Sequence, residues 1–216
     1  MHIAVLGGTF DPVHYGHLRA AEEAREALGL DRIVFMPASN PPHKPDEQRA
    51  APEIRLDMVR LAAADNPGFE VSSLEIERGG KSYTIDTVNE LKGRAGNDIE
   101  VSLVMGTDSF NEITSWLRYR ELLELVNIIV VPRPGSVAPR LVDALPVEVA
   151  RNFWYDSVTE SYRNSAGRNI TYLETTTFDI SSSDIRMRVK EGRSIRYLLP
   201  PAVAEHIVRH GLYKKG

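Results

Sequence analysis

Residues 3–17 read Ile3-Ala-Val-Leu-Gly-Gly-Thr-Phe-Asp-Pro-Val-His-Tyr-Gly-His17 and predict a strand, a short loop and a helix. The apolar run ends at Gly7 and Gly8, and a helical pattern of apolar residues begins near Tyr15. Because glycine has no Cβ, the loop can turn sharply and bring its N–H groups close to an anion. The N-terminus of the following helix points at the same place, which favours phosphate binding.

Two histidines, His14 and His17, stand three residues apart at the predicted start of this helix. That spacing places both imidazoles on one face of the helix. Either histidine alone is more often a helix-cap or core residue than a ligand-binding one. Together with the glycine loop, the pair predicts a phosphate site.

Composition narrows the class of protein. The 216 residues suit a single α/β domain over 1–216, and 42% of them are hydrophobic and 26% charged, as in an ordinary soluble globule. A net charge of -4 offers no global positive field, so neither nucleic acid nor an anionic membrane is an expected partner. The absence of cysteine excludes disulfides, thiolate metal sites and cysteine nucleophiles. No apolar run approaches membrane length and no leader precedes the first strand, so we expect a cytoplasmic protein.

Strand-like and helical patterns alternate along the chain. Further strands are predicted at 32–37, 69–77, 99–106, 127–132 and 170–174. Helices are predicted to end near Gly29, to begin at Pro52 and near Thr84, and to span 119–126. This alternation predicts a Rossmann-like α/β fold, with a doubly wound, mostly parallel sheet, helices on both faces and a small C-terminal helical portion at about 182–213.

The region 135–169 gives few signals. Val142, Leu145 and Val149 suggest a broken helix, and Phe153-Trp-Tyr155 could be an apolar contact patch or a flap.

Several polar residues follow predicted strands and have two possible interpretations. The proline-rich loop 38–45 carries His43 and Lys44, which could be a solvated linker or a cation held beside the glycine loop. Asp108 could cap the next helix or accept a hydrogen bond from a ribose hydroxyl, and Arg133 could face a ligand or solvent. Trp116 could be a core residue or a stacking platform.

Hydroxyl groups stand at two further helix starts. Ser82 and Thr84 could cap a helix or, with free N–H groups, form a small carboxylate pocket. Ser181 to Ser183 predict an N-cap, and Arg186 lies one turn beyond Ser183, where it could join these hydroxyls in binding polyphosphate. His206 and His210 have no third ligand nearby in the sequence and are interpreted as helix residues.

The motifs resemble those of a known family. Gly8, Phe10, Pro12, His14 and His17 are similar to the signature of the nucleotidylyltransferase superfamily. Ile-Ser-Ser-Ser-x-Ile-Arg at 180–186 is similar to its Ile-Ser-Ser-Thr-x-Ile-Arg motif, with Ser183 in place of threonine. Pro-Pro-His-Lys at 41–44, Ser-Tyr-Thr-x-Asp-Thr at 82–87, and Gly-Thr-Asp at 106–108 followed by Trp116 resemble segments of bacterial nicotinate-nucleotide adenylyltransferases.

The resemblance implies that AMP passes from ATP to nicotinate mononucleotide, giving nicotinate adenine dinucleotide and pyrophosphate in NAD biosynthesis. It implies catalytic roles for His14, His17, Lys44 and Arg186. The implied ATP site comprises Gly7, Gly8, Thr9, Phe10, His14, His17, Gly106, Asp108, Arg133, Ile180, Ser181, Ser183 and Arg186. The implied nicotinate-nucleotide site comprises Thr9, Phe10, Lys44, Tyr83, Thr84, Asp108 and Trp116. Mg²⁺ is expected to arrive on ATP, held mainly by phosphates and water and not by a protein metal site.

Three alternatives stay open at this point. The acceptor could be nicotinamide mononucleotide or another phosphorylated molecule such as pantetheine phosphate. A dinucleotide-binding oxidoreductase fits less well, because the chain lacks Gly-x-Gly-x-x-Gly and its second strand ends Phe35-Met-Pro37 without an acid for the ribose. A non-catalytic nucleotide-binding module is the third. A homo-oligomer is possible and the sequence does not indicate its size.

Overall fold

The computed structural model describes residues 1–41, 49–95 and 99–214. Its strands are β1 (His2–Gly8), β2 (Arg32–Pro37), β3 (Phe69–Val71), β4 (Glu100–Gly106), β5 (Asn127–Val131), β6 (Phe153–Asp156), β7 (Ser161–Asn164) and β8 (Asn169–Tyr172). Its helices are α1 (Tyr15–Ala27), α2 (Pro52–Ala63), α3 (Leu74–Arg78), α4 (Thr84–Ala95), α5 (Thr107–Asn111), α6 (Tyr119–Leu125), α7 (Leu141–Ala144), α8 (Val147–Ala150), α9 (Ser182–Lys190) and α10 (Pro201–Arg209), with a 3₁₀ turn at Ile113–Ser115.

All eight strands join one sheet in the order β3-β2-β1-β4-β5-β8-β7-β6. The first six are parallel to their neighbours, and β7 and β6 add an antiparallel end. The strand order reverses between β1 and β4, so the crevice at their C-terminal ends is where ligands of such sheets bind. The predicted mostly parallel, doubly wound α/β fold is confirmed.

Alternating residues of the central strands feed two separate cores. Ile3 and Val5 of β1 pack with α4, α5 and α6 on one face of the sheet. Ala4 and Leu6 pack with α1, α2, α9 and α10 on the other face. The C-terminal helical portion therefore covers the same face as α1, which brings it to the loop after β1.

The predicted third strand at 69–77 is wrong beyond its first residues. β3 ends at Val71, and Leu74–Arg78 forms α3. Leu74 and Glu75 are adjacent and both buried, which a strand with one face on the core cannot provide. The Glu75 carboxylate accepts a hydrogen bond of 2.6 Å from the Thr87 hydroxyl of α4. Contact with a neighbouring helix has thus overridden an alternating local pattern.

The poorly predicted region 135–169 contains the broken helix as α7 and α8, and two strands that the sequence did not indicate. The segment Phe153-Trp-Tyr155 forms most of β6, at the edge of the sheet, and Trp154 and Tyr155 are more than half exposed. Strand β8 agrees with the last predicted strand, and α1 ends at Ala27, close to the predicted end. Throughout the described ranges, each helix is too short or too polar to span a lipid bilayer.

Candidate active site

The loop after β1 is shaped by the ring of Phe10, which is buried and lies at a positive φ of 48°. A Cβ on Gly8 would lie 3.0 Å from the Phe10 Cζ atom, so a side chain there would press on this buried ring. A Cβ on Gly7 would meet open space. The backbone from Gly7 to Thr9 is therefore approachable, as a phosphate-binding loop requires.

The two histidines stack at the start of α1, with ring centroids 3.7 Å apart. His14 is the N-cap residue of α1, and its backbone N–H donates to Nδ1 of His17 over 3.2 Å. The ring of Phe10 meets that of His17 edge-on, with centroids 5.1 Å apart. His14 thus serves as a helix cap, one of the interpretations that the sequence left open, while its ring still lies beside the glycine loop.

His14 is held in its neutral form in the free protein. It is 1% exposed, and burial, followed by the positive charge of Arg133, lowers the pKa of its imidazole to about 3. Its Nδ1 atom is buried without a hydrogen-bond partner among the residues that the structure describes. A Cβ on Gly16 would lie 3.1 Å from this imidazole, so Gly16 makes room for the ring. An unpartnered ring nitrogen of this kind suits a ligand oxygen.

Helix α9 contacts the loop between β1 and α1 directly. The Nη1 atom of Arg186 donates to the carbonyl of Asp11 over 2.7 Å, across 175 residues of sequence. The Ser182 hydroxyl donates to the carbonyl of Pro12 over 2.9 Å. The Ser181 hydroxyl accepts from the N–H of Asp184, which confirms the predicted N-cap, and lies 3.0 Å from the Ser183 hydroxyl.

The main chain just before α9 also lies close to the start of α1. The carbonyl of Ile180 would lie 4.0 Å from a Cβ on Gly16, so the segment before α9 crosses the start of α1. The side chains of Arg186 and Ser182 and the main chain at Ile180 therefore lie against the loop before α1 and the start of that helix.

Asp108 and Arg133 form an ion pair beyond the ends of β4 and β5, with Oδ2 and Nε 3.5 Å apart. Both side chains are about half exposed. A Cβ on Gly106 would clash with Oδ1 of Asp108 and lie 3.1 Å from Cγ of Arg133, so a side chain there would displace the Asp108 carboxylate. Gly106, not Asp108, is the N-cap residue of α5, which leaves the Asp108 carboxylate directed to Arg133 and solvent.

The segment 82–84 is tied to the loop after β2. The Ser82 hydroxyl accepts from the N–H of Ser39 over 2.9 Å, and the Ser82 N–H donates to the carbonyl of Asn40 over 3.0 Å. Thr84 is the first residue of α4. Tyr83 and Trp116 are partly buried against the core below. Trp116 is therefore neither a fully buried core residue nor fully exposed.

The remaining predicted residues are His43, Lys44, His206 and His210. His43 and Lys44 lie outside the described residues. His206 and His210 stack with centroids 4.1 Å apart at the end of α10. No group of three His, Cys, Asp or Glu side chains placed to hold a metal ion occurs in ranges 1–41, 49–95 and 99–214.

Sequence reasoning missed Arg55, Asp11 and Gly16. Arg55 is 1% exposed and donates to three carbonyls, those of Thr9 (2.7 Å), Ser39 (3.1 Å) and Ala50 (3.1 Å). Asp11 is 2% exposed and is bound by residues far along the chain. The signal for Arg55 was weak, because a single arginine beside the apolar stripe of α2 resembles a surface residue. Gly16 and Asp11 stood within the histidine motif but between the positions that carry it.

The sequence of this chain is similar to that of known proteins over nearly its whole length. Residues 5–188 match the family described as cytidylyltransferase-like. A protein from Citrifermentans bemidjiense, named probable nicotinate-nucleotide adenylyltransferase, is 50% identical over 99% of this chain and 98% of its own. A protein of the same name from a Geobacter species (strain M21) is 48% identical over the same shares.

The fold is also found in solved structures. A Plasmodium falciparum nicotinic acid mononucleotide adenylyltransferase, solved in complex with NaAD, superposes with a TM-score of 0.72 at 15% identity, covering 98% of this chain and 97% of that one. At that identity the likeness concerns the fold alone. On the sequence relationships over nearly its whole length, the chain belongs to the nicotinate-nucleotide adenylyltransferases, within the cytidylyltransferase-like family.

Proposed function

We infer that the protein transfers AMP from ATP to nicotinate mononucleotide, releasing pyrophosphate and forming nicotinate adenine dinucleotide in NAD biosynthesis. Family membership supports this activity, since relatives about 50% identical over the full chain carry that name. The structural observation that carries it is the hydrogen bond between Arg186 and the Asp11 carbonyl. It brings a guanidinium from one end of the chain to the histidine and glycine loop of the other end, as a triphosphate site requires.

The reaction needs positioning more than it needs a base. The attacking phosphate oxygen of nicotinate mononucleotide is already anionic at neutral pH, so no residue must deprotonate it. The protein has to align that oxygen with the α-phosphorus of ATP and stabilise charge on the transition state and on the departing pyrophosphate. The neutral imidazole of His14, together with the imidazole of His17, hydroxyls and guanidinium groups at fixed positions, suits this task.

We assign the nucleotide half to the crevice between the β1 loop and α9. Gly7, Gly8, Thr9 and Phe10 form the loop that would cradle the phosphates, and His14 and His17 would contact α- and β-phosphate oxygens. Arg186, with Ser181, Ser183 and the main chain at Ile180, would hold the pyrophosphate end, together with Lys44. Gly106, Asp108 and Arg133 would meet the ribose and the nucleotide at the neighbouring strand ends.

We assign the acceptor half to the segment before α4 and to Trp116. Thr84 and the free N–H groups at the start of α4 would bind the pyridine carboxylate, with Tyr83 beside it and Trp116 against the ring face. A pocket that donates hydrogen bonds to a carboxylate discriminates against an amide, because buried donors would then face an N–H₂ group. The protein is therefore expected to prefer the acid over nicotinamide mononucleotide.

Mg²⁺ is proposed as a companion of ATP. Because Mg²⁺ dehydrates reluctantly and prefers phosphate oxygens, phosphates and water would supply most of its ligands. The ion would neutralise charge on the β- and γ-phosphates. With these small-molecule substrates, the protein is proposed to act in the cytoplasm.

An acceptor panel tests the function. Purified protein is supplied with MgATP and one of three acceptors: nicotinate mononucleotide, nicotinamide mononucleotide or pantetheine phosphate. We expect pyrophosphate release and a dinucleotide product with the first, and a much lower kcat/KM with the other two. Equal turnover of nicotinamide mononucleotide would contradict the carboxylate role of Thr84 while leaving the ATP site intact, and no pyrophosphate release with any acceptor would contradict the function.

A further inference from the structure

Asp11 lies in the loop between β1 and α1, called the phosphate loop below, and its buried carboxylate contacts Tyr213. Its Oδ1 atom accepts a hydrogen bond from the Tyr213 hydroxyl over 2.5 Å, across 202 residues of sequence, and another from the N–H of Ala50 over 3.3 Å. Its Oδ2 atom is buried without a hydrogen-bond partner among the residues described. The carboxylate is therefore satisfied on one side and unsatisfied on the other.

The unsatisfied side faces Arg186. Oδ2 of Asp11 and Nη1 of Arg186 are 3.8 Å apart, an ion pair without a hydrogen bond, while the same Nη1 donates to the Asp11 carbonyl. A carboxylate and a guanidinium this close would ordinarily form a direct charge-assisted bond. Tyr213 and Ala50 donate to the other oxygen, Oδ1, and Nη1 of Arg186 donates to the Asp11 carbonyl, while Oδ2 and this nitrogen stay beyond hydrogen-bond distance.

A second cation, the buried guanidinium of Arg55, lies near the Asp11 carboxylate and offsets its charge. Arg55 is 1% exposed and lies near enough to Asp11 for their charges to interact, while its donors are spent on the carbonyls of Thr9, Ser39 and Ala50. Arg55 thus anchors the phosphate loop and offsets Asp11 without competing for its oxygens. The side chain of Arg186 is 35% exposed, so this guanidinium can face a ligand.

We propose that Tyr213 is a positioning residue whose hydroxyl holds the Asp11 carboxylate away from Arg186, so that the guanidinium stays available to pyrophosphate. The role rests on the proposed function, in which Arg186 contacts the pyrophosphate end of ATP. Without the hydroxyl, Oδ2 of Asp11 closes on Arg186 and the pair neutralises itself. The C-terminal residues thereby take part in setting the affinity for the leaving group.

The reverse reaction measures this effect, because pyrophosphate is then a substrate. Tyr213→Phe keeps the ring, which packs on the core, and removes only the hydroxyl. We expect the KM for pyrophosphate to rise about tenfold, as for loss of a hydrogen bond to a charged group, with the KM for nicotinate adenine dinucleotide unchanged. Tyr197→Phe is the matched control, since Tyr197 is 89% exposed and should leave both constants unaltered.

The variant Asp11→Asn separates positioning from a general loss of structure. It removes the charge that competes for Arg186, so the KM for pyrophosphate should not rise even if thermal stability falls. In Asp11→Asn/Tyr213→Phe, loss of the hydroxyl should have no further effect on that KM. A structural role would instead raise the KM values of both substrates in every variant in parallel with the loss of stability.

The outcomes distinguish the two claims. If wild-type protein makes no ATP from nicotinate adenine dinucleotide and pyrophosphate, the proposed function fails. If wild-type protein is active but Tyr213→Phe has a normal KM for pyrophosphate, or Asp11→Asn raises that KM, the positioning role of Tyr213 is overturned and the function stands. If Tyr213→Phe does not fold, a raised KM for pyrophosphate in Asp11→Asn still overturns the role, and an unaltered or lowered KM supports it.

Discussion

The imidazoles of His14 and His17 lie 3.7 Å apart, with the inner ring almost completely buried and the outer ring only partly so. His14 is the N-cap residue of α1 and its ring fills the space beside Gly16, whereas the ring of His17 is partly exposed. The two histidines of the motif are therefore not equivalent, and they should respond differently to substitution and to pH.

His17→Ala removes the outer imidazole. We expect kcat to fall by roughly 10² or more, because a donor placed against transition-state charge is lost, while ATP affinity changes much less. Steady-state kinetics together with ATP binding by calorimetry make the comparison, and the control is His210→Ala, which changes an exposed histidine just after α10. A kcat near the wild-type value would remove His17 from the mechanism.

The buried His14 makes stability depend on pH. Its folded-state pKa is about 3 and its ordinary value 6.5, so between these values the unfolded chain binds the proton more tightly. The contribution of His14 to the free energy of unfolding is fully present above pH 6.5. It falls as the pH drops toward 3, by up to about 1.4 kcal/mol per pH unit. Urea unfolding across this window should show a shallower decline for His14→Gln than for wild type. An identical decline in both proteins would show that His14 is not buried in its neutral form.

Gly106→Ala tests the approach of Asp108 to Arg133. The added methyl would lie 2.4 Å from the Asp108 carboxylate and would displace it, so we expect kcat/KM for ATP to fall about tenfold to a hundredfold. Gly93→Ala on α4 is the matched control, because its methyl meets open space and removes a helix glycine. That control should gain about 0.5–1 kcal/mol of stability at normal activity. Unchanged kinetics for Gly106→Ala would mean that the position of Asp108 does not matter to catalysis.

Trp116→Ala tests the pyridine platform. The pyridine ring of nicotinate mononucleotide carries a positive charge at its nitrogen, so an indole face should attract it both by stacking and by its quadrupole. We expect the KM for nicotinate mononucleotide to rise about tenfold or more, with little change in the KM for ATP. Trp154→Ala, at the exposed edge of the sheet, should alter neither. A rise in both KM values with a loss of stability would instead indicate a core role.

Local patterns were enough to predict much of the fold. The apolar runs ending in glycine, the proline at the start of α2 and the hydroxyls before α9 are short-range signals that act within one turn or one strand. They predicted β1, β2, β4, β5 and α9 close to their observed bounds. The same signals failed at 69–77 and at 153–164, where short edge elements carry little periodicity and the choice between strand and helix depends on neighbouring parts of the fold.

By itself, the sequence determined the strand–loop–helix unit at residues 3–17, the order of most elements and the family to which the chain belongs. Only the tertiary structure decided that Tyr213 and Arg186 meet at the buried carboxylate of Asp11, that Arg133 pairs with Asp108, and that Arg55 holds the carbonyl of Thr9 from inside the core. Backbone propensity and hydrophobic period act over a few residues, whereas burial of a charge is tolerated only where a distant partner compensates it. Which residues become partners depends on the order of strands in the sheet, and no spacing along the chain encodes that order.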